Sequence, residues 1–244
     1  PGTAYLEKYE NNLLMVSSRG VIAFKDLEKE ENFFKQIPNN LSNFISRKQF
    51  EKNKYFSIKG IHINKTNIFI SFSDEVEIDC WNTSLLQGKM NFSFIEFKKI
   101  FSPDECIHEK NNVDKEFHPA QSGGAISSIN QDELILGTGD YRSRSLAQKE
   151  DSINGKVLKI NTSTSNVSII SKGHRNIQGA VYLKKKNILI TTEHGPAGGD
   201  EINLINLNKK NTDIPNYGWP ISSYGEHYGK KESNKMKYLK FLFI

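Results

Sequence analysis

The sequence predicts an all-β protein of the β-propeller type, with about four blades in this chain. Two observations carry the prediction. A short motif, one polar residue followed by three apolar ones, recurs four times at intervals of fifty-odd to sixty-odd residues. Three of its copies also sit behind a glycine, an alternating segment and a polar turn, which is the pattern of a β-hairpin.

The four motif copies are Asn12–Ser17, Asn67–Phe72, Glu133–Thr138 and Asn187–Thr192. The last three follow Gly60-Ile61-His62-Ile63, Gly124-Ala125-Ile126-Ser127 and Gly179-Ala180-Val181-Tyr182. The turns between are polar: Asn64-Lys65-Thr66, Asn130-Gln131-Asp132 and Lys184-Lys185-Lys186. Further strand candidates follow the hairpins, such as Gly155–Ile160 and Val167–Ile170. Each unit is long enough for about four strands, and a four-stranded sheet repeated at this period reads as a propeller blade. A β-sandwich with unrelated hairpins is the competing reading. The blades are expected over residues 1–50, 51–117, 118–173 and 174–244 of one domain. Phe33–Phe50 has broken helical spacing interrupted by Pro38, so it is expected to be a loop, as is Phe101–Pro119.

Composition excludes several classes. No apolar run approaches the length of a transmembrane helix. The net charge is +5, but the lysines are scattered over expected turns and form no helix-borne stripe, so nucleic acid is not an expected partner. The chain opens at Pro1 without a charged-then-apolar leader, which leaves its compartment undecided. Cys80 and Cys106 form no CxxC pair; one disulfide and two buried thiols are both open.

The densest motifs fall in the third and fourth units. They are Gly173-His174-Arg175-Asn176-Ile177-Gln178-Gly179, then Thr192-Glu193-His194-Gly195-Pro196-Ala197-Gly198-Gly199-Asp200-Glu201-Ile202-Asn203, then Asn216-Tyr217-Gly218-Trp219-Pro220 with Ser223-Tyr224-Gly225. Earlier come Gly139-Asp140, Ala147-Gln148 and Gly155–Ile160. This ordered set, from about Gly123 to Gly229, resembles the soluble pyrroloquinoline quinone (PQQ)-dependent glucose and aldose sugar dehydrogenases, the glucose/sorbosone dehydrogenase family. The resemblance implies a six-bladed propeller, of which two blades lie outside this chain. It also implies PQQ and calcium as cofactors, an aldose oxidised at its anomeric carbon, and a periplasmic or secreted location. The electron acceptor is left open.

The residue types suit that chemistry. PQQ carries three carboxylates, and the planar fork of Arg175 matches a carboxylate, with Asn176 adding a donor and an acceptor. By resemblance Arg175, Asn176 and Tyr228 bind the cofactor. The carbonyls of Gly195 and Pro196 are hard oxygens suited to calcium. By resemblance they hold the catalytic ion, while Glu201 and Tyr217 contribute to a further calcium site.

One position departs from the family. The general base there is a histidine just before the small residues of the third blade, and a gapless alignment puts Gln121 at that point. Glutamine takes no proton near neutral pH, so a base effect of about 10²–10⁴-fold would be lost. His118 is the nearest substitute, with Asp140 available to orient it. Tyr55 stands where the family has a cofactor-binding glutamine. A non-enzymatic propeller that binds a ligand, and a calcium-dependent lactonase, therefore remain as alternatives.

Overall fold

The computed structural model describes residues 3–30, 32–209 and 213–226. It is nearly all β, with four antiparallel sheets following one another along the chain as propeller blades. The first blade is β1 (Ala4–Tyr9), β2 (Asn12–Ser17), β3 (Ile22–Asp26) and β4 (Lys35–Ile37). The second is β5 (Ile58–Asn64), β6 (Asn67–Glu77), β7 (Cys80–Lys89) and β8 (Phe97–Phe101), with β9 (Ile107–His108) also paired to β7. The third is β10 (Gly123–Ser128), β11 (Glu133–Thr138), β12 (Lys156–Asn161) and β13 (Val167–Lys172). Among the described residues the fourth has three strands, β14 (Ile177–Leu183), β15 (Ile188–Glu193) and β16 (Glu201–Asn206).

The four recurrent motifs are β2, β6, β11 and β15, the second strand of each separate sheet. Their near-continuous apolar character follows from position, because each central blade is covered on both faces. Along β6, Ile68, Ile70 and Phe72 pack with Leu14, Val16 and Ile22 of the first blade. Phe69, pointing the other way, packs with Leu134, Leu136 and Leu158 of the third. Along β11 the alternation repeats: Ile135 turns toward Ile177, Leu189 and Ile205 of the fourth blade. Period-two side chains thus distribute one strand between two cores, and each fully buried aliphatic or aromatic side chain adds about 1.5–3 kcal/mol.

Neighbouring blades approach each other closely at glycines. A Cβ at Gly60 would lie 2.4 Å from the Gly124 carbonyl oxygen, and one at Gly137 would lie 2.5 Å from the Ile177 side chain. Gly124 also has φ +119°, a region that side chains rarely adopt.

The stretch expected as a loop between the first two blades holds β4 and a short helix, α1 (Arg47–Lys52). Ser46 caps α1 through Gln49, and the Gln49 side chain returns a bond to the Ser46 backbone. This capping box outweighs the imperfect apolar spacing. Likewise, the loop expected over Phe101–Pro119 contains β9 and a disulfide between Cys106 and Cys80. No helix among the described residues is long and apolar enough to cross a membrane.

Candidate functional site

A cavity of about 560 Å³ lies where the first strands of the second, third and fourth blades begin. That volume suits a ligand of cofactor size. Lys59, His118, Gln121, Arg175, Asn176, His194, Gly195 and Asp200 all line it, with Tyr5 from the first blade and Tyr55 from the loop before β5.

Arg175 is positioned by the fourth blade. Its backbone N–H donates to the buried Glu193 carboxylate at 2.6 Å, and its guanidinium donates to the His194 carbonyl at 2.8 Å and lies 5.3 Å from the Trp219 ring. Glu193 also accepts from Asn203 at 2.7 Å and pairs with His174 at 2.9 Å. Burial alone would raise the Glu193 pKa, but His174 and the N–H groups of Arg175 and Asn176 hold it below its usual value. Asn176 ties the fourth blade to the third: its side-chain oxygen accepts from the Gly123 N–H at 2.9 Å, and its NH₂ donates to the Ala120 carbonyl at 3.3 Å.

Gln121 ends a single 3₁₀ turn, Pro119–Gln121. In the amide orientation that satisfies both ends, its oxygen accepts from Arg175 at 2.9 Å and from Arg142 at 3.3 Å, and its NH₂ donates to Asp140 at 3.1 Å. Gln121 therefore joins both guanidiniums to a buried carboxylate. Asp140 also accepts from the Trp219 indole at 2.7 Å and the Arg142 N–H at 2.8 Å. Burial pushes its carboxyl up to about 6 despite these donors.

His118 caps the same turn, its Nδ1 accepting from the Ala120 N–H at 3.2 Å. Burial and the nearby charges of Arg142, Lys59 and Arg175 hold its pKa below the ordinary histidine value. The neutral ring therefore carries its proton on Nε2 and offers a donor, with its basic nitrogen already engaged. The Asp140 carboxylate accepts instead from Trp219, Arg142 and Gln121.

Gly195 opens the loop between β15 and β16. A Cβ there would fall 1.6 Å from the Gly199 carbonyl oxygen, so only glycine allows this curl. The Gly195 N–H donates to Asp200 at 3.0 Å, and the Pro196 carbonyl accepts from Gly199 at 2.8 Å. Glu201 and Tyr217 lie apart from the cavity lining. Burial, then the neighbouring Glu193 charge, raises the Glu201 pKa; its carboxylate accepts from Asn203 at 3.2 Å. Tyr217 stacks on His174 and donates to the Leu204 carbonyl at 2.6 Å. Tyr228 lies outside the described residues.

Lys59 was not among the sequence candidates. A lone lysine in an alternating strand reads as solvent-facing, yet here it is half-buried and lines the cavity. Its ammonium donates to the Tyr55 carbonyl and, at 3.2 Å, to the Pro119 carbonyl. Burial pushes it down to about 7. The Arg175 guanidinium fits a carboxylate-bearing ligand, and the glycine-only curl at Gly195 fits a cation held by backbone oxygens.

The family model for Glucose / Sorbosone dehydrogenase matches residues 59–240. Aldose sugar dehydrogenase YliI of Escherichia coli is 33% identical over 119 residues, which is 43% of this chain and 30% of that protein. An uncharacterized Synechocystis protein is 37% identical over 98 residues, covering 35% of this chain and 22% of its own length. Among solved structures, the soluble aldose sugar dehydrogenase of Escherichia coli in its apo form superposes with a TM-score of 0.60 at 21% identity, covering 93% of this chain and 65% of that one. The PQQ-bound aldose sugar dehydrogenase of Streptomyces coelicolor gives 0.66 at 18% identity, covering 90% and 63%. The chain thus spans under two thirds of the length of these relatives.

Proposed function

The chain belongs to the Glucose / Sorbosone dehydrogenase family, and on that premise we propose that it is the PQQ- and calcium-binding part of an oxidoreductase that oxidises an aldose at its anomeric carbon. The observation that carries this reading is that Arg175, Lys59, Asn176 and Gly195 open onto one cavity. When bound there, PQQ supplies a two-electron acceptor and calcium supplies Lewis-acid polarisation. Arg175 pairs with a carboxylate of the cofactor, and Asn176 fixes the seam between two blades beneath it. The Gly195 and Pro196 carbonyls hold the ion, with Glu201 and Tyr217 assigned to a second calcium and Tyr228 to the cofactor. Gln121 bridges Arg142, Arg175 and Asp140 and so orders the cavity floor; it moves no proton. The substrate is a small sugar, and an exported location, periplasmic or secreted, accords with the Cys80–Cys106 disulfide.

Equilibrium dialysis against PQQ tests the reading. Binding should require calcium and be lost to a chelator. Arg175→Met should weaken it about 10- to 100-fold, the effect of a charge-assisted hydrogen bond. Binding indifferent to both changes would leave the second reading, a non-enzymatic ligand-binding propeller, which Gln121 at the base position favours.

A further inference from the structure

We propose that Lys59 is the proton acceptor for this site, taking the place that Gln121 cannot fill. The inference rests on the sugar-oxidation reading above.

The geometry begins with the donors of an amine. A neutral –NH₂ has two N–H bonds and one lone pair. Lys59 Nζ bonds two carbonyls, those of Tyr55 and Pro119, which take both hydrogens and leave one tetrahedral direction. Lys156 provides the internal contrast. Its Nζ bonds three carbonyls, of Leu146, Ala147 and Asn154, within 3.1 Å, which uses every hydrogen of an ammonium in a structural role. Lys59 lines the cavity and Lys156 does not.

Lys59 is also anchored beside the segment where the base is expected. Pro119 belongs to the 3₁₀ turn that ends at Gln121. Gly124 permits this closeness: a Cβ there would lie 2.2 Å from Lys59 Cβ.

Burial favours the neutral form of Lys59. The first blade presents the Tyr5 hydroxyl, which donates to the Ile58 carbonyl at 3.1 Å. Tyr55 precedes it on its own blade; the third blade brings His118 to the same cavity, and the fourth Arg175. The strands packed directly on it, β6 and β10, face it with Ser71 and glycines. Asp200, the carboxylate lining the cavity among the described residues, is turned to His194 and the Gly195 N–H. Burial with no carboxylate bonded to Nζ holds the amine at about 7, where it is poised to accept a proton near neutral pH. His194 and Asp200 also line the cavity, but both are mostly exposed and meet at 3.3 Å, a loose, solvent-screened pair.

The anomeric O–H bond breaks and its proton passes to the Lys59 lone pair, giving an ammonium. The anomeric C–H bond breaks with its electron pair, and hydride leaves for an ortho-quinone oxidant. The sugar carbon gains a C=O bond and becomes the lactone, and the quinone is reduced by two electrons.

Three measurements on the chain decide the matter. In protein labelled with ¹³Cε-lysine, the signal missing from Lys59→Arg should titrate near 7 rather than near 10.4. With PQQ and calcium, dye-linked aldose oxidation should rise with pH through the same midpoint. Lys59→Met should lose about 10²–10⁴-fold in kcat and lose that pH step, and Lys59→Arg should not restore either. A Lys59 signal titrating above 9, a Lys59→Met variant that keeps rate and pH step, or a wild type that binds PQQ without turnover each overturns the inference. Failure of the wild type to bind PQQ overturns instead the reading on which it rests.

Discussion

The Trp219 indole donates to the buried Asp140 carboxylate at 2.7 Å, fastening the segment after the fourth blade to the third. The same ring lies 5.3 Å from the Arg175 guanidinium, so one side chain braces both an acid and a base of the site.

Burial of Asp140 gives a pH signature that the Trp219 bond opposes. Asp140 is raised by burial from 3.8 to about 6, so the folded state binds its proton more tightly than the unfolded chain. Its favourable contribution is fully present below the unfolded value and is lost as pH rises through about 6. Asp140→Asn lacks this loss. Unfolding curves of the two proteins should therefore diverge in favour of asparagine between pH 4 and 7, by a few kcal/mol at about 1.4 kcal/mol per pKa unit. Parallel stability profiles would show that the carboxyl is not protonated in the fold.

Glu193 should be a stability determinant of opposite sign. Its lowered pKa adds stability above the ordinary glutamate value that is lost on acidification. Glu193→Ala strands the Arg175 N–H, His174 and Asn203 in a buried setting and should cost about 3 kcal/mol or more by urea unfolding. Glu193→Gln should cost less, and both should weaken PQQ binding through Arg175.

Replacing Cys80 and Cys106 with serine opens a loop of 26 residues. A chain-entropy treatment puts the loss at about 3.5 kcal/mol. Denaturant melts with and without reductant measure it, and the serine variant should be insensitive to reductant.

The position of Gln121 beside Asp140 can be tested by substitution. Gln121→His would set an imidazole against Asp140, between Arg142 and Arg175, and should restore turnover ten-fold or more to a Lys59→Met protein. His118→Ala should change the rate little, since its Nδ1 is held by Ala120. Dye-linked assays of both variants compare them directly; loss of activity in His118→Ala alone would reassign the base to His118.

The blade plan was legible because β2, β6, β11 and β15 each keep a polar turn and an apolar run that no tertiary contact overrides. Arg175, Asn176 and Gly195 were legible as motif members, and the fold brings them to one cavity. Helix α1 was hidden because Pro38 and uneven phenylalanine spacing masked a Ser46–Gln49 capping box. Lys59 was hidden for a different reason: its inward role depends on the absent side chain of Gly124, two blades' worth of context that no local pattern carries. The pairing of Cys80 with Cys106 depends on β9 returning to β7, a long-range event in the same sense.

The glycine contact of Gly60 with Gly124 also bears on how this architecture tolerates change. At that seam even one methyl group has no room, so a substitution would push whole blades apart rather than reshape a local surface. Variation that preserves the ring is therefore channelled into the segments joining the strands, such as Tyr55, the 118–121 turn and the 194–200 loop. New ligand preferences should arise by editing those segments, while the seam tolerates no substitution.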